Sequence, residues 1–166
     1  MKTLLILRHA KSSWNSSERS DHDRPLKKRG KRDAPRMGRL LHDENLVPDA
    51  ILSSTARRAA DTARLVAESS GFDGEIRFIE ALYLAAPDAY LRALRKLPDE
   101  IKTVMVVGHN PGMEDLLETL TGAFERMPTA ALAQVALPLD HWSQLTDETE
   151  GNLICLWLPR TLSAAS

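Results

Sequence analysis

The sequence has little of several features that define large classes of proteins. Its 166 residues include a single cysteine, Cys155, so no internal disulfide can form, and its apolar neighbours indicate a small buried hydrophobic residue. No apolar run approaches the ~20 residues that span a membrane. The first apolar stretch is too short for a signal-peptide core and runs straight into Arg8. We therefore expect a cytoplasmic protein without membrane association.

The chain also lacks an excess of charge of either sign. Its 22 Lys and Arg residues nearly balance its 23 Asp and Glu residues, which leaves a formal net charge of −1. No overall attraction to nucleic acid or to acidic membranes is expected. The length indicates one domain over residues 1–166 that needs no cross-links. The sequence has no long apolar pattern that would be expected on the surface, and this favours a monomer.

Short apolar strands alternate with amphipathic helices along the chain. Strands are predicted over 4–7, 50–53, 76–78, 103–108, 132–137 and 152–158. Helices are predicted to begin near Asp33, at Ala56, at Pro87 and at Asn110-Pro111, where the asparagine would be the N-cap. This alternation predicts the α/β class, as a three-layer α/β/α sandwich with a mainly parallel central sheet.

Basic side chains follow the ends of several predicted strands. Arg8 and His9 follow the first strand, and His109 follows the strand at 103–108. An arginine pair at 57–58 lies a few residues after a third strand end. Because the carboxyl ends of parallel strands meet at one edge of a sheet, we expect these side chains to lie together.

The residue types at this edge suit a phosphoryl dianion. Guanidinium groups offer a planar fork of donors, and a neutral imidazole presents a nucleophilic nitrogen. Free N–H groups at a helix start add further donors. Two histidines without a carboxylate at ligand spacing make a poor metal site. The alternative interpretation is that these strands simply end in polar residues.

Four short blocks resemble the signature motifs of the histidine phosphatase superfamily, which includes the cofactor-dependent phosphoglycerate mutases. The blocks are Leu7-Arg8-His9-Ala10 with Ser12, Trp14 and Asn15; Asp23-Arg24-Pro25-Leu26 with Arg29-Gly30; Ser54 with Arg58-Ala59 and Thr62-Ala63; and Gly108-His109-Asn110-Pro111-Gly112. They follow the family's order across nearly the whole chain. The chain is most similar to the small SixA-type phosphohistidine phosphatases, which implies a phosphoglycerate mutase-like fold and an open site.

The resemblance implies a role for each matched residue. His9 would be phosphorylated during turnover. Arg8, Arg58 and His109 would hold the phosphoryl oxygens, since the Arg-Ala-x-x-Thr register selects Arg58 rather than Arg57. Further residues expected at the phosphate are Asn15, Ser12 and Asn110. Water would then release inorganic phosphate, and no metal or organic cofactor is expected.

No block identifies the proton donor that an alkoxide leaving group requires. Glu80 lies where many members of the family carry a glutamate, and an exposed loop carboxylate is the alternative interpretation. Asp21 and Asp23 are other candidates. A phosphohistidine substrate depends less on such an acid, because imidazole leaves as a weaker base than an alkoxide.

The sequence therefore favours a phosphatase for phosphohistidine on a partner protein. A phosphatase for small phosphoesters and a non-catalytic phosphate-binding module are the alternatives. A run of positive charge at residues 24–39 has two interpretations as well. It is either a solvated helix face or a rim that attracts a phosphorylated or acidic partner.

Overall fold

An α/β/α sandwich surrounds one sheet in the computed structural model, which describes residues 1–14 and 20–162. Within those residues the strands are β1 (Lys2–Arg8), β2 (Ala50–Ser54), β3 (Ile76–Ile79), β4 (Thr103–Gly108), β5 (Leu132–Leu137) and β6 (Asn152–Trp157). The helices are α1 (Lys28–Asp43), α2 (Arg57–Ser70), α3 (Pro87–Arg95) and α4 (Gly112–Thr121). The predicted strands and their alternation with helices are confirmed.

The sheet is mainly parallel, as the sequence pattern predicts. Its strand order is β3-β2-β4-β1-β5-β6, and β1 to β4 all run in one direction. Within the described residues, β5 alone pairs antiparallel to its neighbours on both sides. Arg8 is in register with Gly108 across the β1–β4 pair, so His9 and His109 leave the sheet at the same level.

The central strands are buried on both faces because each face of the sheet carries two helices. Along β1, Leu4 and Ile6 belong to the core shared with α3 and α4. Leu5 and Leu7 alternate with them and belong to the core shared with α1 and α2. This two-sided burial explains why β1 and β4 are continuous apolar runs rather than alternating ones.

Helix α1 begins earlier than the sequence predicts. It starts at Lys28 rather than near Asp33, and it contains Pro35 in its interior. Tertiary contacts support the first turns, since the Lys27 N–H donates to the Lys11 carbonyl at 2.9 Å and Gly30 packs against the Lys11 backbone. Packing against another segment therefore outweighs the proline's missing hydrogen bond.

Two smaller predictions about helix α4 and the cysteine are wrong. Helix α4 begins at Gly112 with Pro111 as its cap residue, so Asn110 is not the N-cap. The Asn110 side chain is instead engaged elsewhere, donating to the Glu114 carboxylate at 3.1 Å and to the Met127 carbonyl at 2.8 Å. Cys155 is only partly buried, because β6 is an edge strand.

None of the helices in the described parts of the chain has both the length and the apolar character needed to cross a lipid bilayer.

Candidate active site

The carboxyl ends of β1 and β4 border a cavity of about 280 Å³. The structure brings six of the predicted site residues to its lining: Arg8, His9, Ser12, Arg58, His109 and Asn110. Strand register explains the meeting of the two histidines, because β1 and β4 are hydrogen-bonded neighbours. Arg58 reaches the same cavity from the first turn of α2, which follows the adjacent strand β2.

His9 is held as a neutral imidazole with a defined tautomer. Its Nδ1 lies 2.8 Å from the Ala10 carbonyl oxygen, which can only accept, so Nδ1 carries the proton and donates it. Burial lowers the pKa of His9 to about 3, and the nearby His109, Arg58 and Arg8 add to this effect. The bond to Ala10 opposes the shift without cancelling it. At neutral pH, Nε2 is therefore an unprotonated nucleophilic nitrogen.

His109 lies beside His9, with the ring centroids 5.2 Å apart. Burial, followed by the charge of Arg58, lowers the pKa of His109 to about 4. Its Nε2 is 2.8 Å from the Ser54 hydroxyl oxygen, which also accepts the Ala56 N–H. The buried Nδ1 of His109 has no hydrogen-bond partner among the described residues.

Arg58 is buried and Arg8 is partly buried, and part of the donor capacity of both is unused. Arg8 donates through Nη1 to the Met127 carbonyl at 3.1 Å, and Arg58 is only 2% exposed. The Nε–H groups of both arginines have no partner within the described part of the chain. Buried donors without partners are costly, and the oxygens of a phosphoryl dianion would satisfy them.

Thr62 ties helix α2 to the end of β1. Its hydroxyl donates to the Arg58 carbonyl at 2.7 Å and accepts the Ala10 N–H at 3.0 Å. The third and first sequence blocks thus meet through one buried side chain. These two hydrogen bonds fix the position of Arg58 relative to His9.

Asp21 closes the outer side of the cavity. One carboxylate oxygen accepts from Arg58 Nη2 at 3.0 Å and from the Tyr83 hydroxyl, and the other accepts from Arg24 Nε at 3.1 Å. Partial burial raises the pKa of Asp21, but the hydrogen bonds from Tyr83 and Arg58 outweigh it and lower the pKa to about 2. Asp21 is therefore ionised at neutral pH and cannot act as the proton donor there.

The remaining predicted residues have separate positions. The Ser12 hydroxyl accepts from Arg24 Nη1 at 2.8 Å, while Asn15 lies outside the described residues. Glu80 is exposed at the start of a short 3-10 turn, and it is not among the residues that line the cavity. The structure therefore does not bring Glu80 to His9, and its role as an acid remains a prediction.

Sequence reasoning gave no site role to Tyr83 or Leu84, which lie at this edge of the sheet. The Tyr83 ring is edge-on to His109, with centroids 5.6 Å apart, and Leu84 lines the cavity. No local pattern marks either residue, because both follow the short 3-10 turn Glu80–Leu82 after β3 and only the fold brings that turn to the site. No group of three or more metal-ligating side chains occurs in residues 1–14 and 20–162.

Comparisons with known proteins agree with this geometry. The model of the histidine phosphatase superfamily (branch 1) matches residues 4–83. The crystal structure of a SixA protein from Agrobacterium tumefaciens is 30% identical, covers 95% of this chain and 98% of its own, and superposes with a TM-score of 0.82. The chain belongs to the histidine phosphatase superfamily.

Two further proteins that are similar to this chain extend the comparison. The protein histidine phosphatase SixA, solved with tungstate, shares the fold with a TM-score of 0.83 at 22% identity, over 97% of this chain and 99% of that one. An uncharacterized chloroplastic protein of Arabidopsis thaliana is 37% identical over 145 residues. That match covers 80% of this chain and 66% of the plant protein, so the chain spans just under two thirds of that relative.

Proposed function

We propose that this superfamily member is a phosphatase that works through phosphorylated His9 and removes phosphate from phosphohistidine on a partner protein. The observation that carries the proposal is a neutral, Nδ1-protonated His9 among buried donors, in a cavity whose only carboxylate among the described residues is the ionised Asp21. The similarity to SixA proteins supports the same substrate class.

The first step is attack by Nε2 of His9 on phosphorus. A bond forms between Nε2 and phosphorus, and the bond between phosphorus and the substrate imidazole breaks on the opposite side. The electron pair goes to the departing nitrogen, and the leaving group is neutral imidazole because the other ring nitrogen of the substrate phosphohistidine carries a proton. Arg8 and Arg58 stabilise the charge on the equatorial oxygens through their unused Nε–H donors, and His109 lies beside them.

The second step is hydrolysis of phospho-His9. A water oxygen bonds to phosphorus, the bond to Nε2 breaks, and its electron pair returns to the His9 ring. The water proton leaves with solvent or on the inorganic phosphate that is released. A bound dianion raises the pKa of His109 through its opposite charge, so that imidazole can become a charged donor during turnover.

The lack of a suitable acid favours phosphohistidine over an alkyl phosphate. An alkoxide needs a proton as it leaves, which general acid catalysis usually supplies. Asp21 is ionised and Glu80 is outside the cavity. Imidazole leaves as a far weaker base, so the residues of the cavity suffice for it.

A turnover comparison tests the choice of substrate. Wild type and Glu80→Ala are assayed on a phosphohistidine protein, on phenyl phosphate and on an alkyl phosphate. We expect phosphohistidine to be preferred by both proteins, with kcat changed by less than about twofold in the variant, since the exposed Glu80 carboxylate lies away from the cavity. Fast alkyl phosphate turnover that collapses in Glu80→Ala would instead identify a small-molecule phosphatase with Glu80 as its acid.

Covalent labelling tests the nucleophile independently. Wild type is mixed with a radiolabelled phosphohistidine donor and quenched in alkali, which preserves the phosphorus–nitrogen bond. We expect acid-labile label on wild type and on the control His42→Ala, whose imidazole is exposed, and none on His9→Ala. Saturable phosphate binding without turnover or label would identify a binding module.

A further inference from the structure

A second concave surface, which we name the arginine groove, lies next to the active-site cavity. Its volume is about 340 Å³. Four of its lining residues are arginines, and one is an aspartate: Arg29, Arg32, Arg36, Arg160 and Asp33. Four guanidinium groups against one carboxylate leave a surplus of three positive charges. The chain as a whole has a net charge of −1, so this surface departs strongly from the average.

Asp33 organises the arginines of helix α1. Its side chain is 5% exposed and lies 3.6 Å from Arg29, 3.9 Å from Arg32 and 3.7 Å from Arg36. Burying a carboxylate is costly unless cations surround it, and here three guanidinium groups surround the Asp33 carboxylate. The carboxylate thus holds three guanidinium groups at one surface without neutralising them.

The arginine groove adjoins the active-site cavity at Thr129, which lines both. The segment that carries Thr129 is bonded to the end of β1. Met127 accepts from the Arg8 guanidinium at 3.1 Å, and the Ala130 N–H reaches the carbonyls of Arg8 and His9, each at 3.1 Å. A ligand that spans Thr129 would therefore contact both surfaces at once.

The character of the arginines limits the class of ligand. Arg29 and Arg32 are 56% and 62% exposed, so a single contact with either is weak and screened by salt. Only a ligand with several negative charges gains enough from such contacts. Among the residues that the structure describes, no aromatic side chain lines the arginine groove, so nucleic acid bases would find no stacking surface on them. These features favour an acidic polypeptide.

We infer that the arginine groove docks an acidic segment of the phosphorylated partner, next to the phosphohistidine that enters the cavity. This inference rests on the proposed function and adds a recognition site outside the phosphate cavity. The phosphoryl group selects the chemistry, and the arginine groove selects the protein that carries it.

Synthetic peptides test the docking site. Chemically phosphorylated peptides of equal length carry one phosphohistidine, with four glutamates or four glutamines placed either before or after it. We expect wild type to show about tenfold higher kcat/KM for at least one glutamate peptide than for its glutamine counterpart at low salt. The preference should shrink at high salt, because the contacts are exposed.

Charge reversal locates the preference. The test variant is Arg32→Glu/Arg160→Glu, and the matched control is Arg64→Glu/Arg92→Glu, which changes the net charge equally at two exposed arginines outside both concave surfaces. The test variant should lose the preference and keep wild-type turnover of free phosphohistidine, while the control keeps both. Equal kcat/KM for the paired peptides in wild type, or an equal loss in the control, would overturn the inference.

Binding of an unphosphorylated, fluorescent glutamate peptide separates this inference from the proposed function. If wild type hydrolyses no phosphohistidine, the proposed function fails, but anisotropy still reports docking. Binding that is lost only in Arg32→Glu/Arg160→Glu supports the docking site. No binding, full competition by millimolar inorganic phosphate, or tighter binding of a single-stranded oligonucleotide at the same arginines would overturn it.

Discussion

The imidazole of His9 is neutral because of where the fold places it, and its neighbours in sequence would not predict this. Burial is the main cause of its lowered pKa, and His109, Arg58 and Arg8 contribute from three separate parts of the chain. The same environment that keeps the nitrogen unprotonated also attracts an anion. One set of contacts therefore produces both the proposed nucleophile and the proposed phosphate site.

The buried histidines predict a pH-dependent stability. Between pH 7 and 5 the unfolded chain protonates them near their ordinary pKa of 6.5, while the folded pKa of His9 stays at about 3. The folded protein is therefore most stable above the pKa of the unfolded chain's histidines. Its unfolding free energy declines as the pH falls toward the pKa of the folded state. In wild type, the unfolding free energy falls between pH 7 and 5. We expect this fall, measured by urea denaturation, to be about 2 kcal/mol smaller in His9→Gln.

His42→Gln is the control for this measurement, because the His42 side chain is exposed. Its pH dependence should match that of wild type. An unchanged pH dependence in His9→Gln would mean that the His9 imidazole titrates as an exposed one does.

Asp21 predicts the behaviour of a second variant. Its carboxylate accepts from Arg58 at the edge of the cavity, where it repels a phosphoryl dianion. In Asp21→Asn the repulsion disappears, while the Asp21 backbone carbonyl, 2.7 Å from Arg58 Nη1, still positions the guanidinium. We expect the inhibition constant of inorganic phosphate to fall by about three- to tenfold.

Asp23→Asn provides the control, since Asp23 is two residues away and its side chain is 69% exposed. Its inhibition constant should equal that of wild type. Weaker phosphate binding in Asp21→Asn would show that the carboxylate orients Arg58 more than it repels the ligand.

Among the elements, helix α1 connects the arginine groove to the end of β1. Its first turn packs on the backbone just after β1, and its arginines line the arginine groove. Gly30 permits the close approach, because a Cβ there would lie 2.2 Å from the Lys11 carbonyl oxygen. The glycine is needed for space, since its backbone is ordinary helix.

Gly30→Ala is therefore expected to push α1 away from Lys11, which lines the cavity two residues after His9. We expect a loss of about 1–3 kcal/mol in unfolding free energy, measured by urea denaturation, and a lower kcat/KM. Lys31→Ala, at an exposed position of the same helix, should change stability by less than about 0.5 kcal/mol. Wild-type stability in Gly30→Ala would mean that the helix adjusts without cost.

For the whole molecule, the sheet edges bear on the prediction of a monomer. Strand β3 is a short edge that carries Arg77, and Arg64 covers its Phe78 ring at 4.8 Å. Short, charged edges resist pairing with another sheet. We expect sedimentation equilibrium to give one species near 18.5 kDa at micromolar concentration. A mass of about twice that value that falls on dilution would show association. The first site to test would then be the exposed Ile154 on edge strand β6.

The sequence by itself determined the order of strands and helices and the basic residues at strand ends. These properties are local, because apolar period and residue type can be read within a few positions. The α/β class, the mainly parallel sheet and the meeting of Arg8, His9, Arg58 and His109 at one edge follow from them.

Only the tertiary structure decided the ionisation of the site and the shape of its surroundings. The start of α1 ahead of Pro35 depends on packing against Lys11. The lowered pKa of Asp21 depends on hydrogen bonds from Tyr83 and Arg58, which are 62 and 37 residues away. Glu80 matched a family position and yet lies outside the cavity. Burial and hydrogen-bond partners come from segments distant in the chain, so no local pattern contains them.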